Sequence, residues 1–146
     1  MVEVFDISDS QRMDEALAIR LRVFVDEQGV PLELEIDEHD REDAEAVHAL
    51  IRDDAQAIAT GRYYVVGAGC VQIGRMAVLP AWRGRGAGKH LLELLEAEAR
   101  RHGFAEAQLD AQVQATHFYR KAGYADFGEE HLDAGILHQP MRKALF

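Results

Sequence analysis

"PAWRGRGAGKH" occupies residues 80–90 and runs directly into "LLELLEAEAR" at 91–100. Glycines alternate at positions 84, 86 and 88 among Arg83, Arg85 and Lys89. An apolar run, "CVQIGRMAVL" at 70–79, precedes the loop and is closed by Pro80. After it, Ala87, Leu91, Leu95 and Ala99 stand four apart, the spacing of one helical face. The order is therefore strand, glycine loop, helix. Amides at a helix start lack intrahelical acceptors, and the helix dipole there favours an anion. Three basic side chains add charge, so the expected ligand is a pyrophosphate. The plain alternative is a strand-to-helix turn with solvated basic residues. Such a turn needs fewer glycines.

Two familiar phosphate loops do not fit. A Walker A loop needs glycine where Arg83 stands and Ser or Thr where His90 stands. A dinucleotide fingerprint needs a third glycine where Lys89 or Leu91 stands, and no repeated βαβ unit follows.

Working outward, "EVFDI" at 3–7 predicts a strand. Ser8 and Gln11 are spaced as a capping box before a helix of about five turns. Met13, Leu17, Leu21, Phe24, Val25 and Gln28 form its expected apolar face, and Gly29 and Pro31 end it. "LELEIDEHDRED" at 32–43 reads as an acidic, solvated loop. "AVHALIR" and "AIATGRYYVV" flank "DDAQ" as a hairpin, with "GAG" at 67–69 as the next turn. The second helix closes with Arg100, Arg101 and His102 before Gly103. "EAQLDA" predicts a strand, "QVQATHFYRKAG" a helix, and "YADFG" and "GILHQPMRKAL" the closing strands. Pro140 places the last strand at an edge or a bulge. The expected class is α/β, one domain over residues 1–146, with a central mixed sheet flanked by helices.

Composition narrows the function. With 48% hydrophobic and 29% charged residues over 146 positions, the chain is expected to fold around a real core. A net charge of −10 argues against nucleic acid as partner and makes a cationic small molecule or basic peptide easier to attract. Cys70 is the one cysteine, so no internal disulfide is expected, and neither a secretion signal nor a membrane span is read. The expected compartment is a reducing cytoplasm. "DEHD" at 37–40 lacks ligand spacing and a second nearby histidine, so no metal is expected.

Arg83-Gly84-Arg85-Gly86-Ala87-Gly88 matches the Q/R-x-x-G-x-G/A motif of the GNAT N-acetyltransferases. "IGRMAVLPAWRG" at 73–84 resembles that family's fourth strand and its exit, and "AQVQATHFYRKAGYADFG" at 111–128 resembles its second hallmark, N-x-x-A-x-x-F-Y-x-x-x-G-F. "RLRVFVDEQGVPLELEIDEHD" and "GILHQPMRKAL" look like the bacterial ElaA/YjcF-like branch. The resemblance implies the GNAT fold, a mostly antiparallel sheet between helices, and acetyl-CoA as co-substrate. It implies that the backbone of Met76, Ala77 and Val78 pairs with the pantetheine arm as an added strand does. Arg83 fills the Q/R position, and amides from Gly84, Arg85, Gly86, Ala87, Gly88 and Lys89 hold the pyrophosphate. Tyr119 matches the tyrosine near the thioester sulfur. Gln112 stands where the family has asparagine, one methylene shorter, which puts its cofactor contact in doubt.

Transfer of acetyl to an amine needs a neutral attacking nitrogen, a donor for the oxyanion and help for the leaving thiolate. A free amide on a splayed fourth strand fits the second need, and the Tyr119 phenol the third. The alternative for Tyr119 is a core aromatic beside Phe118, which is itself assigned to the core. No covalent intermediate is needed, so Cys70 is read as packing. The segment after the first helix borders the acceptor site in the family, which makes Glu27, Asp37 and His39 candidates for substrate contact; His138 joins them from the last strand. The expected activity is direct transfer from acetyl-CoA to a primary amine of a small molecule or peptide. The competing reading is a CoA-binding sensor without transferase activity. Monomer and homodimer both fit, the latter because edge strands of such sheets often pair.

Overall fold

The computed structural model describes residues 2–6, 9–41 and 45–146. Among the described residues, eight strands form one sheet: β1 (Val2–Asp6), β2 (Ala46–Asp53), β3 (Gln56–Gly67), β4 (Cys70–Val78), β5 (Glu106–Gln112), β6 (Ala125–Asp126), β7 (His131–Asp133) and β8 (Ile136–Ala144). Their order is β1-β2-β3-β4-β5-β8-β6, with β7 paired to β8. β4 and β5 run parallel and every other pair is antiparallel. The parallel step requires a crossover, and α3 (Ala87–Arg101) supplies it.

Adjacent β2 residues point to opposite faces. Ala49 and Ile51 join the cluster built on Leu91, Leu92, Leu95 and Ala99 of α3. Leu50 between them joins Met13, Ala16, Ile19 and Val23 on the other face. The sheet is thus covered on both sides. Gly61 marks a close approach of β3 to α3: a Cβ there would come within 3.1 Å of Leu95 and Met76.

The first helix departs from its expected form. α1 (Ser10–Arg20) is capped by Asp9, whose carboxylate accepts from the Arg12 amide; Ser8 of the expected capping box lies outside the described residues. Leu21–Glu27 then continues as a π-helix. The buried side chains are Met13, Ala16, Ile19, Arg20 and Val23, whereas Leu17, Leu21, Phe24 and Val25 are only partly buried and Gln28 is exposed. The wider π turn swings Phe24 and Gln28 toward a cleft instead.

In its described part, residues 32–41, the acidic stretch is more than a solvated loop, although Glu33 and Glu38 are exposed. It folds as a short α2 (Leu32–Glu35) and a 3-10 turn, Glu38–Asp40. Arg20 binds Glu35 at 2.7 Å and Asp40 at 2.6 Å. Arg62 holds both Asp37 oxygens at 2.6 and 2.7 Å and reaches Asp40 at 3.0 Å. Burial alone would raise the Asp40 carboxyl, but Arg20, the Asp37 amide and Arg62 together hold it well below the ordinary range.

Two further readings change near the C-terminus. Gln112 ends β5; a 3-10 turn, Val113–Ala115, and the six-residue α4 (Thr116–Lys121) follow, in place of one continuous helix. Pro140 is not on an edge strand. β8 lies between β5 and the β6 and β7 strands, and the Pro140 carbonyl accepts from Phe127 at 3.0 Å. Its missing N–H therefore faces the interruption between β6 and β7, where no ladder donor is needed.

Candidate functional site

β4 and β5 pair only from Cys70–Glu106 to Ile73–Leu109. Beyond that point the strands part. β4 also bulges there: Thr60 of β3 faces Ala77 and Arg62 faces Gly74, so β4 carries one extra residue. Arg75, in the bulge, takes a left-handed φ of 50°. A bulge takes backbone polar groups out of the ladder, beside an opening in the sheet.

That opening is a cleft of about 520 Å³. Met76, Val78, Asp110, Gln112, Tyr119 and His138 line it. Ala77 alternates away and is buried against α1 and the π segment. The Tyr119 hydroxyl lies 3.8 Å from the Met76 sulfur, and burial pushes its pKa up to about 12. Phe118, assigned to the core from sequence, is exposed at the rim, because the short α4 turns only one of the two neighbouring rings inward. Gln28 and Gln112 exchange amide hydrogen bonds of 3.3 and 2.9 Å, tying the end of the π segment to the end of β5.

A second cavity of about 750 Å³ lies at the glycine loop. Gly84, Gly86, Ala87, Gly88 and Lys89 line it and Arg85 does not; Lys121 joins them from outside the motif, as does Lys143, which is paired with Glu96 at 2.9 Å. Gly84 has φ 78°, and Gly86, at the N-cap of α3, has φ 83°. A Cβ on either would meet no atom within 4 Å, so backbone conformation, not crowding, selects glycine there. The first amides of α3 remain without intrahelical acceptors. Val78, Arg83 and Phe118 line both cavities, so the two join.

Arg83 lines both cavities with its guanidinium already occupied. Its guanidinium meets Glu27 at 2.7 and 2.8 Å and its Nε donates to the Val78 carbonyl at 3.0 Å. Asp37 is held by Arg62 and Arg75, and His39 stacks on Tyr64 with ring centroids 3.5 Å apart. Glu27, Asp37 and His39 thus lie outside the cleft lining, whereas His138 lines it. Cys70 is partly buried; burial and then Glu106 push its thiol up, away from nucleophilic character.

Asp110 and Asp133 also line the cleft. Asp110 was legible in principle: it alternates with Gln112 on β5, so the two share a face. Asp133 and Lys143 carry no local signal, since β7 and β8 reach the site only through the sheet order.

The acetyltransferase (GNAT) domain profile matches residues 18–145. An uncharacterized N-acetyltransferase of Bacillus subtilis, YjcF, is 37% identical over 136 residues, covering 92% of this chain and 94% of its own. Among solved structures, an acyl-CoA N-acyltransferase from Pseudomonas aeruginosa superposes with a TM-score of 0.88 at 29% identity, covering 99% of both chains. Escherichia coli ElaA superposes with a TM-score of 0.87 at 25% identity, covering 98% of both.

Proposed function

The chain belongs to the acetyltransferase (GNAT) domain family, and from that membership we propose that it moves an acetyl group from acetyl-CoA to a primary amine by direct transfer in a ternary complex. One observation carries the reading: the β4–β5 opening, the β4 bulge and the glycine loop fall along one continuous pair of cavities.

In this reading the free edge of β4, at Met76 and Val78, pairs with the pantetheine arm, and the loop amides from Gly84 to Lys89 hold the pyrophosphate. The bulge amide meets the carbonyl oxygen as it gains charge. Tyr119, with its pKa near 12, stays protonated at neutral pH. It serves the departing sulfur as a hydrogen-bond donor and keeps its proton. Arg83 must leave the Val78 carbonyl before an added strand can use it.

The test is a thermal-shift titration with acetyl-CoA, CoA, ATP and NAD on the parent protein and on Gly86→Glu. A ligand at a hundred times its Kd stabilises by about 2.7 kcal/mol. Acetyl-CoA and CoA should raise the Tm of the parent and not of a folded Gly86→Glu. A shift with ATP or NAD and none with acetyl-CoA would overturn the reading.

A further inference from the structure

Every arginine that lines the cleft is already matched. Arg62 is held by Asp37 and Asp40, Arg75 by Glu35 and Asp37, and Arg83 by Glu27. The two carboxylates that line it, Asp110 and Asp133, have no cationic partner among the described residues. The acids of the 33–40 segment and Glu27 are committed to arginines or lie outside the lining, so they do not supply the base. Among the described residues, His138 is the one imidazole in the lining. Its Nδ1 lies 2.7 Å from the Ile136 carbonyl, which can only accept, so Nδ1–H donates and the lone pair of the neutral ring falls on Nε2.

Position assigns different roles. Asp110 is the first β5 residue beyond the last β4–β5 pair, beside the bulge, with its side chain exposed. His138 faces Gln112 in the β5–β8 register, two residues further on. Asp133 ends β7 and also borders a smaller neighbouring cavity, which puts it at the rim.

We propose that the acceptor is an amine carrying a second positive charge, held by Asp110 beside the bulge and Asp133 at the rim, and that His138 Nε2 is the base that deprotonates it. The inference rests on the transferase reading above. His138 takes one proton from the acceptor ammonium and passes it to solvent. The amine lone pair then forms the C–N bond, and His138 takes the second nitrogen proton as the C–S bond breaks. CoA leaves as thiolate, hydrogen-bonded by Tyr119, and both protons reach solvent. The charged and titratable groups facing His138 are His131 and Asp133 from β7, Asp110 from β5, Arg75 from β4 and Glu35 from α2. The two carboxylates favour a cationic acceptor beside the imidazole.

The probes are 1,4-diaminobutane and n-butylamine, titrated calorimetrically into CoA-saturated protein at low salt. The diamine should bind at least ~10-fold tighter, with the preference lost in Asp110→Asn and Asp133→Asn. Equal binding, no diamine binding, or a preference kept in both variants overturns the acceptor assignment. Acetylation of the diamine by acetyl-CoA is then followed against pH. His138→Gln should lose the acidic limb of kcat/KM while CoA still raises its Tm. A limb that survives, or absence of diamine turnover by the parent, overturns the assignment. Failure of CoA to stabilise the parent would instead sink the transferase reading itself.

Discussion

Arg83, which lines both cavities, grips Glu27 with both guanidinium NH groups at 2.7 and 2.8 Å and donates its Nε to the Val78 carbonyl. The pair is partly exposed, so solvent screening limits it to about 0.2–1 kcal/mol. It nevertheless holds the motif arginine on the carbonyl that the pantetheine arm uses in the proposed reading. Glu27→Gln should therefore release Arg83 and tighten CoA binding about 2- to 5-fold by calorimetry, with little change in Tm. Weaker binding would mean that the pair organises the site and does not compete with the ligand.

Two loop glycines separate conformation from contact. Gly86 has φ 83° and open space around its Cβ position, whereas Gly88 has no left-handed φ and a Cβ there would sit 3.5 Å from Phe118. Gly86→Ala should cost about 1–2 kcal/mol in urea unfolding and weaken CoA binding. Gly88→Ala should leave stability near the parent value. Equal losses in both would shift the explanation from backbone conformation to packing.

The motifs that repeat within a few residues were legible in the sequence. Strand β4, the glycine loop and α3 follow from local spacing, and the β2–β3 hairpin from alternation around "DDAQ". The π segment was not: nothing in the composition of the face marks its wider turn, which carries Phe24 and Gln28 to the cleft. Nor was the acidic stretch, whose arginine partners lie at Arg20, Arg62 and Arg75, on other elements. A charge run reads as solvated until its distant partners are known. Among the candidate contacts, Asp37 looked available for the same reason, whereas Asp110 was hidden in a short strand of ordinary alternation.

Breaking the buried network should be costly. Asp40 serves both Arg20 and Arg62, each almost fully buried. Asp40→Ala leaves two guanidinium groups short of an anion, and should destabilise by about 3–5 kcal/mol at pH 7 in urea unfolding. A loss under 1 kcal/mol would show that Glu35 and Asp37 suffice.

His48 makes stability depend on pH in a predictable window. It is buried, with Nε2 3.3 Å from the His39 carbonyl, and burial lowers its pKa from the ordinary 6.5 to about 4. Above pH 6.5 the ring is neutral in both folded and unfolded chains. As pH falls, the unfolded chain takes the proton first, so stability declines from pH 6.5 to 4 by about 3 kcal/mol. His48→Gln should flatten that part of the stability–pH curve relative to the parent. Parallel curves would assign the slope to other groups.

Tyr119→Phe isolates the hydroxyl from the ring. The ring packs into the core cluster and against Phe118 and Tyr124, whereas the hydroxyl has a single weak contact, the Met76 sulfur at 3.8 Å. Losing that contact should change stability by less than about 1 kcal/mol, since a weak hydrogen bond to sulfur contributes little. In the proposed transfer step the same hydroxyl is the donor assigned to the departing sulfur. Removing one preorganised donor typically costs about 100-fold or more in kcat. Tyr119→Phe should therefore keep the parent Tm and CoA affinity while kcat falls about 100-fold with KM little changed. A parent-like kcat would leave the thiolate to depart without help from this side chain, and Tyr119 would then be a core aromatic alone.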